Sequence, residues 1–135
     1  MKLTVLGSGS TGNAVLIVAG NTRVLVDAGL SAKEITRRFA MMGEDAQRLD
    51  GILVTHEHGD HSGGLRVLLS TVDCPVYISG QTLDAYVSER FNVANDEPKR
   101  RSKALRDRVE PIESSQDFRI GEIDFHPFTI PHDAV

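Results

Sequence analysis

The feature that most constrains this chain is a six-residue segment, His-Glu-His-Gly-Asp-His at 56–61, which follows the apolar run Leu49–Val54. Neutral imidazoles and carboxylates are ligands that first-row divalent metals prefer. On an α-helix, His56 and His58 would project about 200° apart and could not share an ion. On a strand those two would share a face, but Asp60 and His61 would point to opposite faces. We therefore predict a tight loop at the end of a strand.

The loop is predicted to bind two metal ions. His56 and His58 would hold one ion, and Asp60 and His61 would hold its neighbour, with Asp60 also assigned to catalysis. Gly59 would allow the sharp bend between the two pairs. Two divalent ions about 3.5–4 Å apart can bridge a hydroxide and stabilise a developing oxyanion. The pattern therefore indicates a catalytic metal site rather than a structural one.

Four residues outside the two ligand pairs receive separate predictions. His132 follows the last predicted strand, and we predict that it is the third histidine on the first ion. Asp27 ends an earlier strand, and we expect it to accept hydrogen bonds that orient the histidine loop, with a turn-capping aspartate as the alternative. Glu57 is expected to point away from its neighbours, in a supporting position or at the surface. His126 is expected to be a half-exposed strand residue that binds no metal.

Composition indicates an ordinary globular domain. The 135 residues are 40% hydrophobic and 25% charged, which suits one domain. A formal net charge of −4 provides no overall basic field for a protein that coats nucleic acid, but it does not exclude an enzyme whose cations are metals. Cys74 is the only cysteine, so we expect no disulfide framework and a buried thiol. No apolar run approaches the ~20 residues of a membrane span, and we predict a cytoplasmic protein with no membrane partner.

Hydrophobic patterning predicts an α/β layered domain with a mixed sheet. A capping box at Ser31–Glu34 indicates a helix that Gly43 ends. A second helix is expected from near Ser62 and a third over Thr82–Phe91. The predicted strands are Lys2–Leu6, Ala14–Val18, Arg23–Asp27, Leu49–Val54, Val76–Ser79, Val109–Ile112, Phe118–Ile120 and Ile123–Ile130. The second and third of these strands are expected to form a hairpin.

The first loop imitates a nucleotide-binding motif. Residues 7–13 contain Gly-x-Gly-x-x-Gly directly after a strand, and Asp27 lies twenty residues after Gly7. A dinucleotide-binding fingerprint must open a helix, but the pattern of Ala14–Val18 indicates a strand. We therefore expect a tight glycine turn that passes close to other backbone, on the rim of the metal site.

A polar connector is predicted over residues 92–108. Its segment Lys99–Arg108 holds six of the fifteen basic residues. One interpretation is a solvated connector, and the other is an arm that binds phosphates over the metal site.

Several motifs together resemble a known family. Thr55–Leu65, after Gly51–Val54, resembles the signature of the metallo-β-lactamase superfamily, and Val26–Gly29 resembles its preceding aspartate motif. The loop at 7–13 and the segment Pro131–Ala134 are similar to a YycJ-type branch described as DNA exonucleases. The resemblance covers essentially the whole chain. It implies an αββα sandwich and divalent ions, with zinc the usual ion and manganese an option in nucleases.

The resemblance also implies that residues 1–135 are the N-terminal half of such a domain, a mixed sheet with helices. It places His56, His58 and His132 on one ion and Asp60 and His61 on the other. The family's bridging aspartate and last histidine would then lie beyond Val135, which leaves the second metal site incomplete. We therefore expect a complementing C-terminal half or a homo-oligomer as partner.

The function that these expectations favour is a metal-dependent hydrolase of phosphodiesterase or nuclease type. Its metal-bound hydroxide would attack the phosphorus of a nucleic acid or of another phosphodiester. A thioester or lactone hydrolase would use the same ions on a carbonyl carbon. A non-catalytic metal-binding or assembly fragment is the alternative that the missing ligands favour.

Overall fold

A computed structural model describes residues 1–90 and 105–130. Within them, six strands form a mixed sheet in the order β1-β2-β3-β4-β5-β6, and two more form a separate hairpin, β7-β8. Pairing is antiparallel between β1, β2 and β3 and parallel from β3 through β6. The strands are Lys2–Gly7 (β1), Ala14–Ala19 (β2), Thr22–Val26 (β3), Gly51–Leu53 (β4), Val76–Ser79 (β5), Val109–Ile112 (β6), Phe118–Ile120 (β7) and Ile123–Phe125 (β8). The predicted mixed sheet and its hairpin β2-β3 are confirmed.

Four α-helices and one short 3₁₀ segment, Ala46–Arg48, are described. The helices are Ala32–Met41 (α1), Gly59–Ser62 (α2), Leu65–Leu68 (α3) and Gly80–Arg90 (α4). The predicted start of α1 is confirmed, because the Glu34 backbone N–H donates to Ser31 Oγ at 3.1 Å. The Glu34 side chain does not complete a capping box: its hydrogen bonds to Arg37 and Arg38 lower the pKa of its carboxyl to about 2. Gly43 follows the helix with a φ of 74°, a conformation that suits glycine.

The two faces of the six-stranded sheet are buried against different elements. Alternate strand residues such as Leu16, Leu25 and Ile52 pack with the helices in the main core, together with Phe39 of α1. The opposite face buries Val24 against Ile120 and Ile123 of the β7-β8 hairpin. Period-two alternation produces this division, because successive side chains of a strand point to opposite faces.

Three predicted elements are shorter or divided in the structure. The strand expected over Leu49–Val54 comprises only Gly51–Leu53, and the strand expected over Ile123–Ile130 ends at Phe125. The helix expected from near Ser62 is instead two single turns, α2 and α3, which Gly63 and Gly64 separate. Of the predicted third helix, Phe91 lies outside the described residues, as do 92–104 of the predicted connector.

Two predictions from composition can be compared with the structure. Cys74 is buried as expected, and this burial raises the pKa of its thiol to about 11. Among the helices of the described ranges, none has the length and apolar character needed to cross a membrane.

The described part of the basic run is bound to the protein. The Arg108 guanidinium donates to the backbone carbonyls of Leu69 at 2.6 Å, and of Val72 and Cys74 at 2.8 Å each. Arg106 pairs with Asp84 at 3.2 Å on the exposed surface. Arg108 therefore ties the entry of β6 to the turn after α3, and neither arginine supports the phosphate-binding arm.

Arg108→Ala should lower the free energy of unfolding by about 2–3 kcal/mol, because three carbonyls lose a charged donor. The matched change Arg106→Ala removes an exposed ion pair and should cost no more than about 0.5 kcal/mol. Urea denaturation monitored by circular dichroism measures both variants. Equal stabilities would show that the three-carbonyl contact contributes nothing.

Candidate metal centre

The histidine segment follows β4, at the carboxyl edge of the parallel part of the sheet. Residues 54–58 form the predicted loop, but residues 59–62 form the single helical turn α2, so the expectation of a loop throughout is wrong. Ser62 explains the turn, since its buried hydroxyl donates to the carbonyls of Glu57 (2.6 Å) and His58 (3.0 Å). His58 is the N-cap residue of α2. The two histidines of the first predicted pair therefore precede the turn, and Asp60 and His61 lie within it.

Three of the predicted ligands form a compact group. His56, His58 and Asp60 each offer a ligand atom, and these atoms lie within 4.8 Å of one another. Asp60 Oδ2 is also 3.6 Å from His61 Nε2. Asp60 is therefore close to both the first histidine pair and His61, and the rings of His56 and His61 themselves lie 3.7 Å apart between centroids.

The Asp27 carboxylate holds the loop and the turn together. Its Oδ1 accepts the Thr55 backbone N–H at 2.8 Å, and its Oδ2 accepts the Thr55 hydroxyl at 2.7 Å. Oδ2 also lies 2.6 Å from His61 Nδ1. The Asp27 side chain is only 7% exposed, so these bonds are made in a largely desolvated setting. The prediction that Asp27 accepts hydrogen bonds from the histidine loop is confirmed.

These contacts also determine which ring nitrogen carries the proton. An ionised carboxylate only accepts, so His61 Nδ1 donates to Asp27 and Nε2 of the neutral ring carries the lone pair. The Thr55 hydroxyl has one hydrogen, which Asp27 accepts, so at 3.0 Å it accepts from His56 Nδ1. Both rings therefore present a basic Nε2, the form in which a histidine ligates a metal.

The first glycine loop lies against this turn. The Asn13 backbone N–H donates to the Asp60 carbonyl at 2.7 Å, and Gly29 N donates to the Asn13 carbonyl at 2.9 Å. A Cβ on Gly29 would lie 1.8 Å from the Asp60 carbonyl oxygen, so only glycine permits this approach. The predicted strand β2 follows the loop directly, in place of the helix that a dinucleotide-binding fingerprint opens, and the predicted close backbone contact is confirmed.

Three of the remaining candidates have different outcomes. Glu57 is 5% exposed, so a surface position is wrong, and its Oε2 has no hydrogen-bond partner in the part of the chain that the structure describes. The expectation that His126 is a half-exposed strand residue is wrong, because β8 ends at Phe125 and His126 is exposed, in contact with Asp117. His132 lies outside the described residues, so its assignment to the first ion stays a prediction.

The donor set fits a divalent ion. Two imidazoles and a carboxylate are ligands of borderline first-row metals, and catalytic sites of such metals keep positions for water or substrate. The Asp27 and Thr55 bonds add the outer contacts that orient ligating histidines. His56, His58, Asp60 and His61 would hold the ions.

The mixed sheet and the histidine–aspartate group at its carboxyl edge define an α/β domain with a candidate metal centre. The family model of the metallo-beta-lactamase superfamily matches residues 7–133, and the chain belongs to this superfamily. The predicted superfamily is thereby confirmed.

Individual relatives agree with this assignment. The chain is 34% identical to "Exodeoxyribonuclease WalJ" of Streptococcus pneumoniae, over 99% of its own length and 46% of the relative. It is 36% identical to "Exodeoxyribonuclease YycJ" of Bacillus anthracis, over 99% and 47% of the two chains. The solved structure "Rm3 metallo-beta-lactamase" superposes with a TM-score of 0.68 at 25% identity, over 90% of this chain and 46% of that one. The chain therefore spans about half the length of these relatives, and the predicted fold class is confirmed over that half.

Asp27→Asn should weaken Zn²⁺ binding by about 10- to 100-fold, the usual effect of losing an outer contact to a ligand. An amide nitrogen in place of Oδ2 would donate to His61 Nδ1 and move the ring proton to Nε2, which blocks ligation. Competition with a chromophoric zinc chelator measures the affinity, and ¹⁵N NMR of the histidines measures the tautomer.

Asp50→Asn is the matched control, because Asp50 Oδ2 accepts the Arg23 backbone N–H at 2.8 Å outside the centre. Its Zn²⁺ affinity should equal that of the unchanged chain. Unaltered affinity in the Asp27 variant would contradict the role assigned to that carboxylate.

Proposed function

We propose that this chain forms part of a metal-dependent phosphodiesterase of nuclease type that acts on DNA or a related phosphodiester. The observation that carries the proposal is the group of His56, His58 and Asp60, with ligand atoms within 4.8 Å, in a chain 34–36% identical to proteins named exodeoxyribonucleases. We propose zinc as the ion, with manganese as the alternative. The proposal includes the cytoplasmic location expected from the sequence.

Divalent ions bound here would supply a nucleophile from water at neutral pH and would stabilise negative charge on the reacting phosphate. The chain's own contribution is orientation. Thr55 and Asp27 contact Nδ1 of His56 and of His61, which leaves Nε2 of each ring available to an ion. Asp60 adds a carboxylate close to both, and its position 3.6 Å from His61 Nε2 favours a role with both ions.

A second candidate is a hydrolase that acts on a carbonyl carbon, such as a thioesterase or lactonase. The structural similarity to a metallo-beta-lactamase favours it, and it needs the same ligands. A non-catalytic metal-binding module is the third candidate. We propose His132 as a further ligand of the first ion, and we propose that a complementing segment or a second copy supplies ligands that the second ion lacks.

The number of metal ions per chain distinguishes the two hydrolase candidates from the non-catalytic metal-binding module. We expect the chain purified in Zn²⁺ to retain at least one ion, measured by inductively coupled plasma mass spectrometry, and close to two where a second copy completes the second site. One ion per chain would indicate that the second site needs ligands from elsewhere. A chain that retains none would contradict the proposed metal centre.

Turnover of a bis-aryl phosphodiester, compared with a thioester, separates the two enzymes. His58→Ala should reduce phosphodiester turnover by more than about 100-fold, since losing a ligand exceeds the effect of losing an outer contact. His126→Ala is the matched control, and it should leave turnover unchanged because His126 is exposed and bonded to Asp117. Faster thioester turnover would reject the nuclease assignment, and full activity of the His58 variant would reject the ligand assignment.

A further inference from the structure

We propose that Asn13 is a positioning residue for the ligand pair Asp60 and His61, an inference that rests on the proposed metal centre. Its side-chain Nδ2 lies 3.4 Å from Asp60 Oδ2 and 3.3 Å from His61 Nε2. Nδ2 therefore faces the two atoms that would hold the second ion. The glycine loop therefore contributes a polar group, the Asn13 amide, next to the ligands of the second ion.

The hydrogen bonds of Asn13 explain how the amide is held in place. Nδ2 donates to the Gly9 carbonyl at 2.8 Å and to the Asp60 carbonyl at 3.0 Å, and Oδ1 accepts the Gly9 backbone N–H at 3.0 Å. Both hydrogens of the amide are thereby directed at carbonyls. The same Nδ2 atom makes the longer contacts to Asp60 Oδ2 and His61 Nε2. The two shorter hydrogen bonds therefore hold the NH₂ group beside both ligand atoms.

Asn13 and Asp27 contact the ligand pair at different atoms. Nδ2 of Asn13 lies beside Asp60 Oδ2, and Asp27 holds His61 through the other ring nitrogen. Without the amide, Asp60 could rotate about χ1 and χ2, and an ion would have to fix that freedom on binding. We therefore expect Asn13 to raise the affinity for the second ion more than that for the first.

Asn13→Ala isolates the side chain from the backbone. The Asn13 N–H to Asp60 bond (2.7 Å) and the Gly29 N–H to Asn13 bond (2.9 Å) use backbone atoms, so they persist in the variant. The matched control is Asn21→Ala, because Asn21 is an exposed residue in the turn that follows strand β2, beyond the end opposite to Asn13. A loss of affinity in the first variant alone would then report on the amide.

The experiment is a Zn²⁺ titration of the full chain in competition with a chromophoric chelator, together with thermal unfolding. We expect Asn13→Ala to weaken the second equivalent of Zn²⁺ by about tenfold, as outer-shell partners do. The first equivalent should change by less than about threefold, and Asn21→Ala should match the unchanged chain. This split between the two equivalents is a result that general destabilisation would not produce.

Three results would overturn the proposal: both equivalents unaffected, both weakened equally with a lower melting temperature, or a parent chain that binds fewer than two ions. Phosphodiester turnover is measured in parallel. A parent chain that binds two ions but does not turn over the phosphodiester would reject the proposed function alone, and the effect of Asn13→Ala on the second ion would still stand.

Discussion

The hydrogen bonds to the Asp27 carboxylate are the interaction on which the rest of the centre depends. Asp27 follows β3, and its own backbone N–H donates to the Leu53 carbonyl of β4 at 2.7 Å, which fixes it beside the histidine segment. It adopts a φ of 64°, which few residues other than glycine, Asn and Asp tolerate. Strand pairing thus fixes the position of the Asp27 carboxylate. The carboxylate orients Thr55 and His61 through hydrogen bonds, and Thr55 in turn orients His56.

Close backbone approach is the second requirement, and it explains where glycine is needed. The segments around Asn13, Gly29 and Asp60 exchange backbone hydrogen bonds at 2.7–2.9 Å, so little space remains between them. A Cβ on Gly64 would lie 1.9 Å from the Leu30 carbonyl oxygen, much as one on Gly29 would meet Asp60. Gly29 and Gly64, which lie outside the Gly-x-Gly-x-x-Gly pattern of the first loop, therefore determine whether the turn at 59–62 can pack in its position.

Patterns between residues close in the sequence predicted the secondary structure but not the long-range contacts. The strands and the start of α1 at Ser31 follow from alternation and capping, and side-chain chemistry pointed to the group that His56, His58 and Asp60 form. The helical turn at 59–62 depends on where the Ser62 hydroxyl is buried, and no local pattern reports that. The contact of Asn13 with Asp60 joins residues 47 positions apart, and the burial of Glu57 likewise depends on tertiary packing. Such long-range contacts leave no periodic signal in the sequence.

The two expected ions differ in how much of their environment this chain supplies. His56, His58 and Asp60 form a three-ligand group, whereas Asp60 and His61 offer two ligands within the described ranges. The hydrogen bonds that orient these side chains come from Asn13, Asp27 and Thr55, so residues within the described ranges set the geometry of the centre. An ion with fewer ligands gains a larger share of its binding free energy from side chains already in position. On the proposed two-ion centre, orientation by Asn13 would therefore matter most for the second ion, and further ligands for that ion would come from outside the described residues.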